Sequence, residues 1–410
     1  MPPRHLAPTP SRRLSRAASI VTAACVVAAV GSAHGQTSTR YTVREVPRPT
    51  SATSCSVHSG GLNENGDVAL ACQYKGGTRQ ETASFCLGLY TCFPYKVTRT
   101  WYYNLPAVWQ ASNSSLRSLS VSVRASVWQV WMLNSGTVLA TGAPIDATGM
   151  TSSAGTAWTW SPVSNLGEPV LPPSSLPTSA QAYRIHDATT GGLILWSDVG
   201  ERQLALQWPD GRVVPVPHTP ANGDVVLEER TPIINDQGML VRGRWVLGAP
   251  LPDQPSGEHL PQSWFFDGQS WTKMTLPPSA IGMDFTRVNA KGQALGHEVM
   301  MGLTYLWQAS QPDAVTQITE LGGGSPGQLN DAGLLAGSVP IPNDRNGRSR
   351  AAIWVQGKPI DLNTVTSNLP RGWLLTGVTA LNNKGQMVVN VLDSTKLGAA
   401  ANKVAVLTPQ

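Results

Sequence analysis

Apolar runs of strand length alternate with polar clusters along most of the chain, and one arrangement recurs: a short apolar strand, a polar turn centred on Asn, a Gly, and a second apolar strand. It is legible in GGLNENGDVALAC (60–72), VWMLNSGTVLATG (130–142), TPIINDQGMLVRG (231–243), TRVNAKGQALGHE (286–298), GQLNDAGLLAGSV (327–339) and TALNNKGQMVVNV (379–391). AYRIHDATTGGLILW (182–196) is a degenerate seventh copy. Asn or Asp opens a tight turn by accepting backbone hydrogen bonds, and Gly takes the positive-φ position that closes it. Each copy therefore predicts a β-hairpin.

A second element recurs between the hairpins: PAVWQASNSSLRSL (106–119), TAWTWSPVSNL (156–166), LALQWPDGRVVPV (204–216), QSWFFDGQSWTKM (262–274), TYLWQASQPDAVTQI (304–318) and AAIWVQGKPIDL (351–362), with KVAVLTP (403–409) as a truncated copy. Two hairpins per period make four strands. Six intervals between Gly66 and Gly385 give a mean period of roughly 53 residues, near the blade length of propeller repeats and far above β-helix coils. The fold class is all-β, a propeller of seven four-stranded blades; six or eight blades, or an open β-repeat array, are the alternatives. Closing the ring requires a strand near residues 41–46 to pair with strands near 404–407, since an open array leaves sheet edges unprotected.

The same residues resemble a known family. The succession W-x-x-G/S, a Leu-Gly-Gly-like step, then I/L-N-x-x-G-x-V/L-x-G is similar to the bacterial extracellular HAF-repeat proteins, most closely in ITELGGGSPGQLNDAGLLAG (318–337). The likeness spans most of residues 60–407, although copy 182–196 lacks the Asn and only one copy keeps the Leu-Gly-Gly step. It implies export and a repetitive β fold, and it carries no established catalytic residues.

Composition agrees with a turn-rich β protein: 39 Gly and 32 Pro occur in 410 residues, and only 13% of residues are charged. The N-terminus has a basic start, an apolar run over about 17–30 and small residues before Gln36, the layout of an export signal over 1–35. The run is shorter than the roughly 20 residues of a spanning helix, so no membrane span is expected after its removal. A single domain then occupies 36–410. Removing the leader's four Arg from 30 Lys and Arg leaves 26 against 25 Asp and Glu, which gives no basis for a nucleic-acid partner. Cys55, Cys72, Cys86 and Cys92 cluster in the first repeat (about 50–100), and in an exported chain they predict two disulfides, with Cys55–Cys72 and Cys86–Cys92 preferred among three connectivities. Secretion or a periplasmic location follows, and a monomer is expected.

Candidate chemistry is sparse. Residues 323–327 (GGSPG) match G-x-S-x-G, but Pro326 cannot supply the oxyanion N–H that a nucleophile elbow needs, and another hairpin turn follows in place of a helix. Gly322, Gly324 and Gly327 satisfy a phosphate-loop spacing that also requires a following helix. Glu64, Asp187, Asp236 and Asp331 fall at or beside one turn position, where other repeats carry Ser135, Ala290 or Asn383. Asp187, Asp236 and Asp331 are the candidate ligand-binding residues, since equivalent turns converge on one face of a ring. Of 14 Trp, those recurring at one strand position (Trp109, Trp208, Trp307 and Trp354, with Trp158 or Trp160 and Trp264) read as core. Trp101, Trp131, Trp196, Trp245, Trp271 and Trp373 lie off that pattern. His58, His186, His218, His259 and His297 are scattered without metal-ligand spacing. No catalytic residue, metal site or cofactor emerges. These features lead to the expectation of a non-enzymatic binding or surface-interaction module for an unknown protein or glycan ligand, with a carbohydrate-active or glycan-binding propeller as the alternative.

Overall fold

The computed structural model describes residues 39–87, 91–152, 155–176, 183–198, 203–220, 224–230, 232–247, 259–277, 283–298, 301–319 and 323–410; the expected leader lies outside them. The described residues form seven antiparallel sheets of four or five strands, apart from two short parallel pairings at sheet edges. Each sheet begins with an inner strand, so blades 1 to 7 are numbered in chain order. All-β propeller architecture is thus what the repeats encode, and the open-array alternative is discarded. Strand Tyr41–Val46 pairs in antiparallel register with strand Asn402–Pro409, from Tyr41 opposite Pro409 to Val46 opposite Val404. The N-terminal strand completes blade 7. At that seam Val46, Val404 and Val406 share a core cluster with Leu62, Val68 and Leu70 of blade 1.

Seven turns of one geometry join the inner strand of each blade to the next strand. Their first residues are Asn63, Leu133, Thr189, Asn235, Asn289, Asn330 and Asn382; in each turn the first residue donates to the carbonyl four residues on, and the fourth residue donates back to the carbonyl of the first. That fourth residue is always Gly at positive φ, between +70° and +90°, a conformation that a Cβ disfavours. Two readings of the sequence shift here. The blade 2 turn starts at Leu133, so Asn134 and not Ser135 is the counterpart of Glu64. The blade 3 turn starts at Thr189, whose hydroxyl accepts from Leu193 as an Asn would. Asp187 is therefore not a turn residue at all.

The five turn-opening Asn side chains bond in two directions. Asn382 Oδ1 accepts the backbone N–H of Lys384 and Gln386 within its own turn, while Nδ2 donates to the carbonyl of Asn63 in the next blade at 2.9 Å. Asn63 reaches the Leu133 carbonyl, Asn235 that of Asn289, Asn289 that of Asn330, and Asn330 that of Asn382. Where Leu133 and Thr189 stand, backbone groups take over: Asn134 N–H donates to the Thr190 carbonyl and Gly191 N–H to Asp236. The chain of bonds runs round the whole ring.

Between blades the core is aliphatic and indole. Trp109, Trp158, Trp160, Trp264, Trp307 and Trp354 are all buried, as their common strand position implies, whereas Trp208 is half-buried. Trp101, Trp131 and Trp196 are buried too, and the most exposed indole among the described residues is Trp128, at 50%. Blade 1 departs from the others through a hairpin of strands Val68–Leu87 and Thr91–Trp109, two to three times the usual strand length. Residues 323–327, the apparent elbow, open into the inner strand Ser325–Leu329 of blade 6, and the next element is another strand.

Cys55 and Cys72 face each other across two strands of blade 1 and form a disulfide. Cys86 and Cys92 are register partners in the long hairpin, and their side chains lie outside the described set.

Two expectations follow. Asn330→Ala removes an acceptor for Leu334 N–H and a donor to the buried Asn382 carbonyl, so urea unfolding should show a loss of about 2–3 kcal/mol; a loss under about 0.5 kcal/mol would reject the ring of bonds as a stabilising element. Replacing Cys55 and Cys72 by Ala opens a loop with a sequence separation of 17 and should cost about 3 kcal/mol in the same measurement.

Candidate functional site in the channel wall

The residue two places before each turn occupies one level of the inner strands: Gly61, Trp131, Asp187, Ile233, Arg287, Gln328 and Ala380. In blades 3, 5, 6 and 7 a bulge falls on the preceding residue, which resets the side-chain alternation of the strand. Five blades fill this level with small or bulky groups that are neutral, and two place ionisable ones there.

Asp187 of blade 3 is a half-buried carboxylate held from both sides. Trp131 Nε1 of blade 2 donates to its Oδ1 at 3.2 Å, and the N–H of Ala188 donates to the same oxygen at 2.8 Å. The Ile234 backbone of blade 4 and the Arg287 guanidinium of blade 5 also act on its charge. Arg287 is in turn fixed by Gln328 of blade 6, whose Oε1 accepts from Nη2 at 2.9 Å and Nε at 3.2 Å, and its Nη1 donates to the Thr286 carbonyl. A group from blade 3 that senses blades 2, 4 and 5 together has to face the axis, where non-adjacent blades meet. The cluster is therefore part of the channel wall.

Trp131 can lie flat in this wall because blade 1 contributes Gly60 beside it: a Cβ there would come within 2.3 Å of the indole Cδ1. Burial is the largest influence on Asp187 and pushes its pKa above the usual carboxylate value, with Arg287 and the hydrogen bonds pulling the other way. Burial likewise draws Arg287 below the ordinary guanidinium value, opposed by Asp187. This is a carboxyl and a guanidinium from alternate blades, each with its solvation partly replaced by fixed side chains, and such groups are suited to proton transfer and to holding negative charge.

The other candidate acids are not brought together with Asp187. Asp331 Oδ1 accepts the N–H of Ala290 at 2.7 Å, and its Oδ2 accepts from Asn383 Nδ2 at 2.8 Å. Asp236 accepts the N–H of Gly191 at 2.9 Å, and Glu64 accepts that of Asn383 at 2.9 Å. All three carboxylates fasten one turn to the turn of the preceding blade.

A charged network in blade 4 went unread in the sequence. Arg242 and Arg244, 3% and 2% exposed, stand on one face of strand Leu240–Leu247. Arg242 pairs with Glu229 at 2.7 Å, Arg244 with Asp224 at 3.5 Å and with Gln262, and Arg230 bridges to Asp284 of blade 5. The signal was present as alternating Arg within the second apolar strand of TPIINDQGMLVRGRW (231–245). Three cations meet three carboxylates here, the balance of a structural clasp. His297 donates to or accepts from Thr304 Oγ1 at 2.9 Å, and burial lowers its pKa. Among the described residues no group of three or more His, Cys, Asp or Glu is arranged to hold a metal ion, and no helix is long and apolar enough to cross a membrane.

No family model matches the chain, and no curated protein matches it. Among solved structures, the β-propeller domain of the Trilobed protease from Pyrococcus furiosus is similar with a TM-score of 0.50 at 11% identity, covering 87% of this chain and 94% of that one. Virginiamycin B lyase from Staphylococcus aureus aligns with a TM-score of 0.46 at 9% identity, over 90% and 99% of the two chains. Acylaminoacyl peptidase from Pyrococcus horikoshii aligns with a TM-score of 0.48 at 9% identity, over 88% and 53%. The Pyrococcus furiosus propeller is described as an open velcro, whereas here strand Tyr41–Val46 closes blade 7. At such identities the likeness shows the fold alone. It nonetheless corrects the expectation of a non-enzymatic binding module, which rested on repeats without a catalytic motif: the Pyrococcus furiosus propeller of like fold is a domain of a protease, so the repeats do not argue against catalysis.

Proposed function

We propose that this chain is an exported enzyme acting on a small polar molecule admitted to the propeller channel, with Asp187 as its proton-transferring carboxyl and Arg287 as the cation that holds negative charge on the substrate. The observation that carries the reading is the convergence of a carboxylate and a guanidinium from alternate blades on the channel wall, each steadied by a side chain from a flanking blade, Trp131 and Gln328. A carboxyl disfavoured as an anion by burial is a better proton donor at neutral pH than an exposed one, because more of it stays protonated. A guanidinium beside it stabilises charge that develops on a substrate oxygen. Of the three acids singled out by sequence, Asp187 faces the ligand in this reading, and Asp236 and Asp331 serve the ring.

Export is supported by the leader-like 1–35 segment, by the Cys55–Cys72 bridge and by the resemblance to extracellular HAF-repeat proteins; the proposal takes 36–410 as a single domain, acting as a monomer in the periplasm or outside the cell. A second bridge, Cys86–Cys92, belongs to the same reading, because the two residues are backbone partners.

Turnover of a library of small esters, amides and hydroxy acids, followed by mass spectrometry, tests the assignment. Asp187→Asn should lower the rate at least about 100-fold, Arg287→Met should lower it comparably, and activity that Asp187→Asn retains would sink the proposal. Stability provides an independent check with a definite sign. Because the folded-state pKa of Asp187 is raised, its contribution favours folding only below the unfolded-state value, roughly 4, and is lost as pH rises through the folded-state value. Asp187→Asn should therefore gain stability relative to the wild type as pH is raised from about 3.5 to 7 in urea unfolding. A difference that stays constant with pH would show that the carboxyl is not held up by burial.

A further inference from the structure

At the seam where blade 7 meets blade 1 lies a cavity of about 240 Å³ that the channel reading does not use. Its floor is apolar, made of Val46, Cys55, Leu70 and Val404. Its rim carries Arg48, just beyond the N-terminal strand, Lys396 on the exposed turn after strand Met387–Asp393, and Lys403 on the C-terminal strand; Glu45 is the one acid in the lining. Three cations therefore face a single carboxylate.

The charged groups around this space have the following neighbours. Lys403 Nζ lies 3.2 Å from Glu45 Oε2 and 3.4 Å from Asp393 Oδ2, and sits over the Trp373 ring at 4.9 Å. Asp393 stands behind Lys403, where hydrogen bonds from Thr395 and then Lys403 lower its pKa and keep it ionised. Arg48 gives Nη1 to the Thr53 carbonyl at 2.8 Å. Lys396 stands on an exposed turn at the mouth of this space. An apolar floor beneath a cationic rim is complementary to a molecule with an anionic head and a short hydrocarbon body. At roughly 30 Å³ per water, the cavity has room for about eight water-sized groups.

We propose that this seam cavity is a second binding site, separate from the channel, for a short organic carboxylate: the carboxylate head is taken by Arg48 and Lys396, and the aliphatic body lies on Val46, Leu70, Val404 and the Cys55 sulfur. The occupant touches the N-terminal strand, the C-terminal strand and the first strand of blade 1 together, so binding fastens the ring closure and raises its stability. The site stands on the cavity and its lining, and it holds or fails independently of the role given to Asp187.

Calorimetric titration of the full chain with hexanoate, which has eight heavy atoms, tests this against acetate at constant ionic strength. Hexanoate should bind one to one with a Kd of order 1 mM, and acetate at least about tenfold more weakly, because several methylenes are withdrawn from water. Lys396→Gln, on an exposed turn, and Arg48→Gln should each weaken hexanoate at least about threefold, whereas Glu45→Gln, which removes the competing carboxylate, should tighten it about twofold or more. The gain in Glu45→Gln cannot arise from misfolding. Hexanoate that does not bind, that binds no better than acetate, or that binds equally to Lys396→Gln, Arg48→Gln and Glu45→Gln overturns the assignment.

Discussion

Everything in this molecule hangs on a carboxamide that bonds two ways. A propeller blade shares no continuous strand ladder with its neighbours, which meet mainly through side chains, so isolated bonds must hold one blade beside the next. The turn-opening Asn solves this with one group: its oxygen shapes the turn that ends the inner strand, and its nitrogen ties that turn to the backbone of the next blade. Each is buried, so neither atom has water as a substitute partner, and loss of the group leaves unsatisfied backbone polar groups in two blades. Acids and amides at the following position repeat the connection, with Glu64, Asn134, Asp236, Asp331 and Asn383 each accepting an N–H from the preceding blade. The pattern in the sequence is periodic because the ring needs the same bond at each junction.

That also explains what was legible. Hairpins, blade number, the closing pair of strands and most of the indoles at the recurring strand position were readable, since each follows the period, whereas the burial of Trp101, Trp131 and Trp196 off that position was not. Two turns misaligned because Leu133 and Thr189 stand where Asn is usual and backbone groups supply the missing bond; the neighbouring Asn134 and Asp187 then drew attention as false centres. The channel cluster was hidden for a different reason. A bulge at His186, and again at Thr286 and Gly327, adds one residue before Asp187, Arg287 and Gln328 and so reverses which side of the strand they occupy. Simple alternation along the strand assigns them to the wrong face. Their meeting also joins residues up to about 140 positions apart, and no local window can display that.

The charged groups sort into two kinds by how completely they are matched. In blade 4, Arg230, Arg242 and Arg244 each find a carboxylate on the same blade or the next, and the network is closed on itself. Around Asp187 the matching is looser: its strongest influence is loss of water, its cation comes from two blades away, and that cation is turned toward an amide. Closed networks hold structure, while incompletely matched charges facing a channel can exchange a partner for a ligand, which is why the functional reading settles on the second.

The closing strand pair has a consequence for the order in which the chain can fold. Thr42 and Thr408 are hydrogen-bonded across 366 residues of chain, so blade 7 cannot exist until the last strand has been made. A chain made from its N-terminus therefore holds an orphan first strand and no completed ring until its final residues follow. Contacts so far apart in sequence form slowly, so closure of the ring comes late in folding. The same strand that seals the finished ring acts during biogenesis as a timer.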